Sequence, residues 1–283
     1  MEYQKLNNGV RMPSLGLGTF LLSPEDAEKA TFIALQEGYS LIDTANAYLN
    51  ERGVGRGILK SGKKREDIFL VTKLWPSEYE DAKKAIDDTL KRLQTDYIDL
   101  LILHQPVGSF LTAYKAMEEA YKSGKVRALG LSNFPEELLK TVLDNGTIPP
   151  QIVQVEAHPY YPQKELKAFL SRYDIKLMAW YPLGHGDRSL LKERIFDTLA
   201  EKYHKSNAQI ILRWHIQSGH IVIPGSKNPD HIRSNLDVFD FALTDEEMKE
   251  IAKVDKNKRY YNVSLAEAEK QYLAIRPDFN AQK

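Results

Sequence analysis

The chain has 283 residues, 42% of them hydrophobic and 28% charged, a globular balance with enough apolar side chains for a core. Lys plus Arg (39) equals Asp plus Glu (39), so the chain carries no basic footprint for a nucleic-acid backbone. It has no cysteine, which excludes disulfides, thiolate metal sites and cysteine nucleophiles, and no run approaches the ~18 apolar residues of a membrane-spanning helix. The first residues, MEYQKLNNGVRMP, lack the apolar core of a signal peptide, so a soluble cytoplasmic protein is expected.

The opening stretch YQKLNNGVRMP reads as a hairpin, with Asn8-Gly9 as a turn pair that tolerates positive φ at both positions. Eight apolar runs follow: LGLGTF (15–20), YSLIDTA (39–45), IFLVTKL (68–74), IDLLILH (98–104), VRALGLSN (126–133), IVQVE (152–156), IKLMAW (175–180) and HIVIPG (220–225). Helical patterns separate them, among them 24–38, 81–94, 110–124 and 135–146. Ser23 before Pro24 reads as a helix cap, and Gly38, Gly124 and Gly146 sit where helices stop. Strand and helix repeated eight times, with strands apolar on both faces, predict one (β/α)₈ barrel domain over residues 1–283, a doubly wound open sheet being the alternative. Residues 255–283 fit no further unit and are expected to lie over the barrel as a tail.

Polar residues collect at the C-terminal ends of the runs: Asp43, Lys73, His104, Ser132 with Asn133, Gln154 and Trp180. A barrel gathers those ends around one mouth, where its active sites lie. Buried Asp, Lys and His must meet each other or a ligand. Lys73, kept charged by Asp43, is expected to draw the phenol of Tyr48 down from about 10 towards neutrality, while His104 orients a carbonyl oxygen. Such a set reduces a carbonyl with a hydride supplied from elsewhere, which implies a nicotinamide.

With the hairpin, GLGTF (16–20), IDTANAYLNE (42–51), VTKLW (71–75), YIDLLILHQP (97–106), GLSNF (130–134), VQVEAHPY (153–160), AWYPLG (179–184) and VIPGSKNPDHIRSN (222–235) in order, the chain resembles the aldo-keto reductases, of the bacterial diketogluconate and aldehyde reductase type. The resemblance implies a (β/α)₈ barrel and reduction of aldehydes or ketones with NADPH, NADH being possible. It implies a tetrad of Asp43, Tyr48, Lys73 and His104 with Tyr48 as general acid. It further implies cofactor contacts at Gly18, Thr19, Ser132, Asn133, Gln154, Trp180, Tyr181, Leu183, Pro224, Ser226, Lys227, His231 and Asn235. Phe20, Trp75 and Gln105 are placed in the substrate pocket, and the protein is expected to act as a monomer on small-molecule carbonyls.

Several positions depart from the family's frequent residues. Gln105 and Phe20 stand where tryptophan is common, Gly225 where lysine is common, and His231 where arginine is common. Lys227, His231 and Arg233 are the basic residues left to meet a 2′-phosphate, beside the start of a helix. Gly53-Val54-Gly55-Arg56-Gly57 lies in the wrong context for a dinucleotide fingerprint. Glu156 and His158 lack further ligands at zinc spacing, so no metal is expected, and His215 and His220 read as structural. Glu51 is expected to charge the start of the next helix. The competing function is a cofactor-binding barrel of the same fold without turnover.

Overall fold

The computed structural model describes residues 1–282. Strands β1 (Tyr3–Lys5) and β2 (Arg11–Pro13) form the antiparallel hairpin. Its loop is three residues long, closed by Leu6 N to Val10 O (2.8 Å) and Gly9 N to Leu6 O (2.9 Å). Gly9 alone takes a positive φ (87°), so Asn8 stays in ordinary backbone and the expected two-residue turn is corrected to a turn with a glycine bulge. Leu6 and Met12 of the hairpin pack with Leu41, Phe69, Leu100 and Ile152, the first residues of barrel strands, and so plug the barrel's N-terminal end.

Eight parallel strands follow: β3 (Leu17–Gly18), β4 (Leu41–Asp43), β5 (Phe69–Leu74), β6 (Leu100–Leu103), β7 (Leu129–Ser132), β8 (Ile152–Glu156), β9 (Lys176–Trp180) and β10 (Ile221–Val222). Each pairs with its neighbour in chain order. The ring closes where Gly16 N meets Val222 O and Val222 N meets Ser14 O (2.9 Å each), with Gly18 N reaching Pro224 O (3.2 Å). The fold is thus the barrel and not the open sheet. Helices α1 (Pro24–Glu37), α2 (Glu51–Ser61), α3 (Ala82–Leu93), α4 (Phe110–Lys122), α5 (Glu136–Asn145) and α6 (Lys164–Ser171) connect consecutive strands. Helices α7 (Arg188–Leu191), α8 (Arg194–Tyr203) and α9 (Asn207–Gln217) share the β9–β10 connection, and α10 (Pro229–Leu236) and α11 (Asp245–Ile251) follow β10. Helix α12 (Leu265–Ala274) belongs to the tail. Among the described residues no helix is long and apolar enough to cross a membrane.

The caps follow the sequence. Ser23 Oγ accepts from Asp26 N (3.0 Å), and Gly38 and Gly124 are left-handed (φ 105° and 81°), whereas Gly146 ends α5 in extended backbone (φ −84°). The glycines of α2 form a packing face. A Cβ at Gly53, Gly55 or Gly57 would stand 2.1, 2.7 or 2.6 Å from the carbonyl oxygens of Pro24, Leu93 or Glu28. They let α2 lie directly on the backbones of its neighbours α1 and α3, which accounts for the run without a phosphate.

His215 and His220 are buried and bond to each other through Nδ1 (3.0 Å), while His215 Nε2 meets Pro182 O (3.1 Å). One neutral arrangement satisfies these contacts: His215 Nε2–H donates to Pro182, His220 Nδ1–H donates to His215, and the buried His220 Nε2 keeps an unshared lone pair. Burial drives both imidazoles down, His215 to about 3. A His pKa depressed in the fold stabilises above the unfolded value of about 6.5 and is lost as pH falls. Between pH 7 and 5 His215 should cost about 2 kcal/mol of stability, read as a drop in denaturant midpoint that His215→Asn makes smaller.

Candidate active site

Side chains alternate along a strand, and Leu41, Val71, Ile102, Ile152 and Met178 form the barrel's inner core. Counting by twos from them puts Asp43, Lys73, His104, Gln154 and Trp180 on the same inner face, Gln154 in the middle of β8 and the others at or just beyond the C-terminal ends of their strands. Period and strand direction together therefore deliver these polar groups to one mouth.

Asp43 and Lys73 are each 1% exposed, and Lys73 Nζ donates to Asp43 Oδ1 (2.7 Å) and Thr44 O (2.8 Å). The other carboxylate oxygen of Asp43 accepts from Gln154 Nε2 (2.9 Å). Burial pushes the Asp43 carboxyl up and the Lys73 ammonium down, each pulled back by the other's charge. Tyr48 ends a short 3₁₀ turn (Asn46–Tyr48) that follows β4. Lys73 Nζ lies 4.9 Å from its ring centroid, the His104 ring 5.6 Å away edge-on, and the Phe20 ring 5.0 Å away. Trp75 stands edge-on to His104 at 5.1 Å. The structure thus brings Asp43, Tyr48, Lys73 and His104 together.

The expected drop in the phenol's pKa is not what this geometry produces. Burial, then the Asp43 charge and Tyr181, push Tyr48 well above its ordinary value of 10. Asp43, bonded to Lys73 directly, adds a negative charge that opposes the ammonium's field at the ring. Burial and secondly Lys73 hold His104 well below its usual range, so the imidazole is neutral.

The wall beside the tetrad carries Ser132 (1% exposed) and Asn133, whose backbone is left-handed (φ 63°). Asn133 Oδ1 accepts from Trp180 Nε1 (3.1 Å), and its Nδ2 donates to Gln105 Oε1 (3.3 Å). The Trp180 and Tyr181 rings meet edge-on at 4.7 Å. Thr19 Oγ1 donates to Asp43 O (3.0 Å). The backbones of Gly18 and Gly225 meet in a bridge, Ser226 Oγ accepts from Asn228 N (3.1 Å), and Asn235 is buried in α10. Leu183 packs partly buried between two core clusters, and His231 is exposed. Lys227 Nζ lies 3.4 Å from Asp26 Oδ2, while Arg233 is held by Glu37 (2.8 Å) and Asp230 (3.0 Å).

The tail closes one side of the mouth. Trp75 Nε1 donates to the carbonyls of Tyr272 (3.2 Å) and Ile275 (3.1 Å). Glu156 takes the backbone N–H of Tyr260 (2.6 Å) and Tyr261 (3.0 Å) on its two oxygens and pairs with His158 (3.0 Å). Glu156 and His158 are therefore a latch for the tail, and among the described residues no cluster could hold a metal ion. Between the tail and the loops after β7 and β8 lies a cavity of about 580 Å³ that touches Gln105, Asn133, Tyr161 and Tyr261.

The sequence model of the aldo/keto reductase family matches residues 14–256. The chain belongs to the aldo/keto reductase family. It is 45% identical over 259 residues to an aldo-keto reductase of Mycolicibacterium smegmatis, covering 90% of this chain and 94% of that one. It is 41% identical over 258 residues to the methylglyoxal reductase DkgA of Escherichia coli, with the same two coverages, 90% and 94%. Among solved structures, an aldo/keto reductase from Brucella melitensis superposes with a TM-score of 0.86 at 43% identity, covering 90% of this chain and 99% of that one. The protein is thus an oxidoreductase of small-molecule carbonyl compounds, in a family that uses NAD(P)H.

The reductase's donor set fits such a cofactor. Two amides, Asn133 and Gln154, and the Ser132 hydroxyl suit a carboxamide, and the rings of Trp180 and Tyr181 suit a flat heterocycle next to the tetrad. Two of these amides already have partners, Gln154 on Asp43 and Asn133 on Trp180 and Gln105, which the sequence did not reveal. Reading residue by residue also missed the reductase's buried pair of Glu51 and Arg92 (2.6 Å; 0% and 1% exposed side chains). Glu51 is the first residue of α2, at the helix start as expected, and there it is buried against Thr72 of β5 and Arg92 of α3. The signal was available at Arg92, which shares the inward stripe of α3 with Ala85, Thr89 and Leu93.

Proposed function

We propose that the protein is an NADPH-preferring reductase of aldehydes or ketones in which Tyr48 is the general acid. The reading takes residues 1–283 as one catalytic barrel, monomeric, in a reducing cytoplasm that suits a chain without cysteine. The observation that carries it is the convergence of Tyr48, Lys73 and His104 on one another at the barrel mouth, with Asp43 bound to Lys73. A bound nicotinamide would supply the hydride for the carbonyl carbon. As that C–H bond forms, the C=O π pair moves to oxygen, which takes the proton from the Tyr48 hydroxyl. A phenol held this far above its ordinary range keeps its proton until this charge develops, and the Lys73 ammonium beside the ring then stabilises the phenolate left behind.

His104 Nδ1 is buried with no partner among the described residues. An unshared lone pair is cheaper to bury there than an N–H. The proton of the neutral ring therefore sits on Nε2, which donates to the substrate oxygen. Ser132, Asn133 and Gln154 would hold the carboxamide, Asn133 giving up its Trp180 and Gln105 bonds to do so. Gly18, Thr19, Trp180, Tyr181, Leu183, Pro224, Ser226, His231 and Asn235 line the remainder of the cofactor groove. Phe20, Trp75 and Gln105 border the substrate.

Preference for NADPH rests on Lys227, whose single carboxylate contact to Asp26 is long and exposed, beside the start of α10. Arg233 is already committed to Glu37 and Asp230. The relative in Escherichia coli is named a methylglyoxal reductase, so that small oxoaldehyde is the natural first probe. Loss of absorbance at the reduced-nicotinamide band should give a higher kcat/KM with NADPH than with NADH. Lys227→Ala should cut that preference about ten-fold, the worth of one charge-assisted bond. Equal use of both cofactors by the wild type would overturn the preference.

A further inference from the structure

The loop that carries Tyr48 is pinned at both ends to the strand that carries Lys73. At its start, Thr44 O accepts from Lys73 Nζ, and Thr44 Oγ1 donates to Asn50 Oδ1 (2.8 Å). Asn50 Nδ2 in turn reaches Thr19 O and Leu22 O (2.9 and 3.0 Å). At its end, Glu51 accepts from Thr72 Oγ1 (2.6 Å), and Thr72 is the residue next to Lys73 on β5. The second oxygen of Glu51 takes Arg92 Nε (2.6 Å). Arg92 donates to Thr89 (2.8 Å) from α3 and to Asn280 Oδ1 (3.0 Å) from the end of the tail. Gln282 Oε1 accepts from Arg52 N (3.2 Å), the residue after Glu51. Three side chains thus meet from α2, β5 and α3, and the last described residues of the chain complete the cluster.

We infer that Glu51 is a positioning residue for the proton-delivery site and that the chain's C-terminal end, through Asn280 and Gln282, is part of the same clamp. This rests on Tyr48 and Lys73 acting as proposed above. Through Thr72 the Glu51 carboxylate fixes the β5 backbone that aims Lys73, and through its own backbone it fixes the end of the Tyr48 loop. A shift of about 1 Å between acid and partner costs up to about 100-fold in rate. The clamp also adds a carboxylate behind Lys73, which is faced by Asp43 from β4, Tyr48 from the following turn and His104 from the end of β6. A second negative charge on that side favours the ammonium.

Removing Glu51 alone strands Arg92, so the informative variant is the double replacement Glu51→Met with Arg92→Met, which leaves no unpaired buried charge. The readouts are kcat, the pH profile of kcat/KM, and NADPH affinity from fluorescence quenching. The clamp predicts a folded double variant that binds NADPH like the wild type, with kcat lowered roughly 10- to 100-fold and the alkaline limb moved to lower pH. Asn280→Ala with Gln282→Ala, which leaves the ion pair and its charge in place, should lower kcat in smaller measure and leave the alkaline limb unmoved. A folded double variant with wild-type kcat and an unmoved alkaline limb overturns the inference. Tyr48→Phe in the same assay keeps the two ideas separate: if it retains full activity, the acid assignment fails and not the clamp alone.

Discussion

Tyr48→Phe should lower kcat by about 10²–10⁴-fold, the contribution of a positioned general acid, and leave NADPH affinity unchanged. The change removes one oxygen and keeps the ring, so its packing against Phe20, His104 and the Lys73 ammonium survives. Tight cofactor binding with lost turnover is therefore the expected pair of results, read by nicotinamide fluorescence and by steady-state rates. Phenylalanine cannot donate to the developing alkoxide, and His104, being neutral, can only hydrogen-bond to it. The deficit should lie in kcat and not in KM for the cofactor. A variant at near wild-type rate would remove Tyr48 from the mechanism, and Lys73 with it as the stabiliser of its phenolate.

The second large effect is on stability. Arg92→Met leaves the Glu51 carboxylate buried without its partner, and breaking such a pair costs about 3–5 kcal/mol. Folded proteins hold only about 5–15 kcal/mol in all, so the single variant should unfold at much lower denaturant and bind ANS at moderate temperature. Adding Glu51→Met removes the orphaned charge and should return most of the loss, since well-packed apolar groups replace buried ion pairs at little cost. Denaturant midpoints of the wild type, the single and the double variant measure this. A single variant as stable as the wild type would mean that Glu51 is neutralised by Thr72 and its surroundings without Arg92.

Much of the site was legible because a barrel turns sequence order into spatial order. Asp43, Lys73 and Trp180 sit at the C-terminal ends of their strands, His104 directly after β6 and Gln154 in the middle of β8, all in the parity that faces inward. Strand period, strand direction and closure then bring them together without any tertiary detail. Tyr48 was harder, since its reach depends on a 3₁₀ turn and a left-handed Leu49 (φ 55°). What stayed hidden was pairing. Nothing in VQVE says that Gln154 donates to Asp43, and nothing near Glu51 points 41 residues ahead to Arg92. The phenol's direction of shift turns on desolvation first and pairing second. A lysine next to a tyrosine predicts a stronger acid only if the ring stays solvated and the lysine's charge is free, and here desolvation at the mouth outweighs it and Asp43 holds it at 2.7 Å. The basic residues of VIPGSKNPDHIRSN were legible as a set, but Arg233 turns to Glu37 on α1, a neighbour known only from the fold.

The most direct test of the central claim is a crystal structure of the protein with NADP⁺. The account predicts the nicotinamide ring against Trp180 and Tyr181, its carboxamide on Ser132, Asn133 and Gln154, and its C4 edge open to the Tyr48 hydroxyl and His104. A nicotinamide bound away from the barrel mouth, with Asn133 still bonded to Trp180 and Gln105, would contradict it.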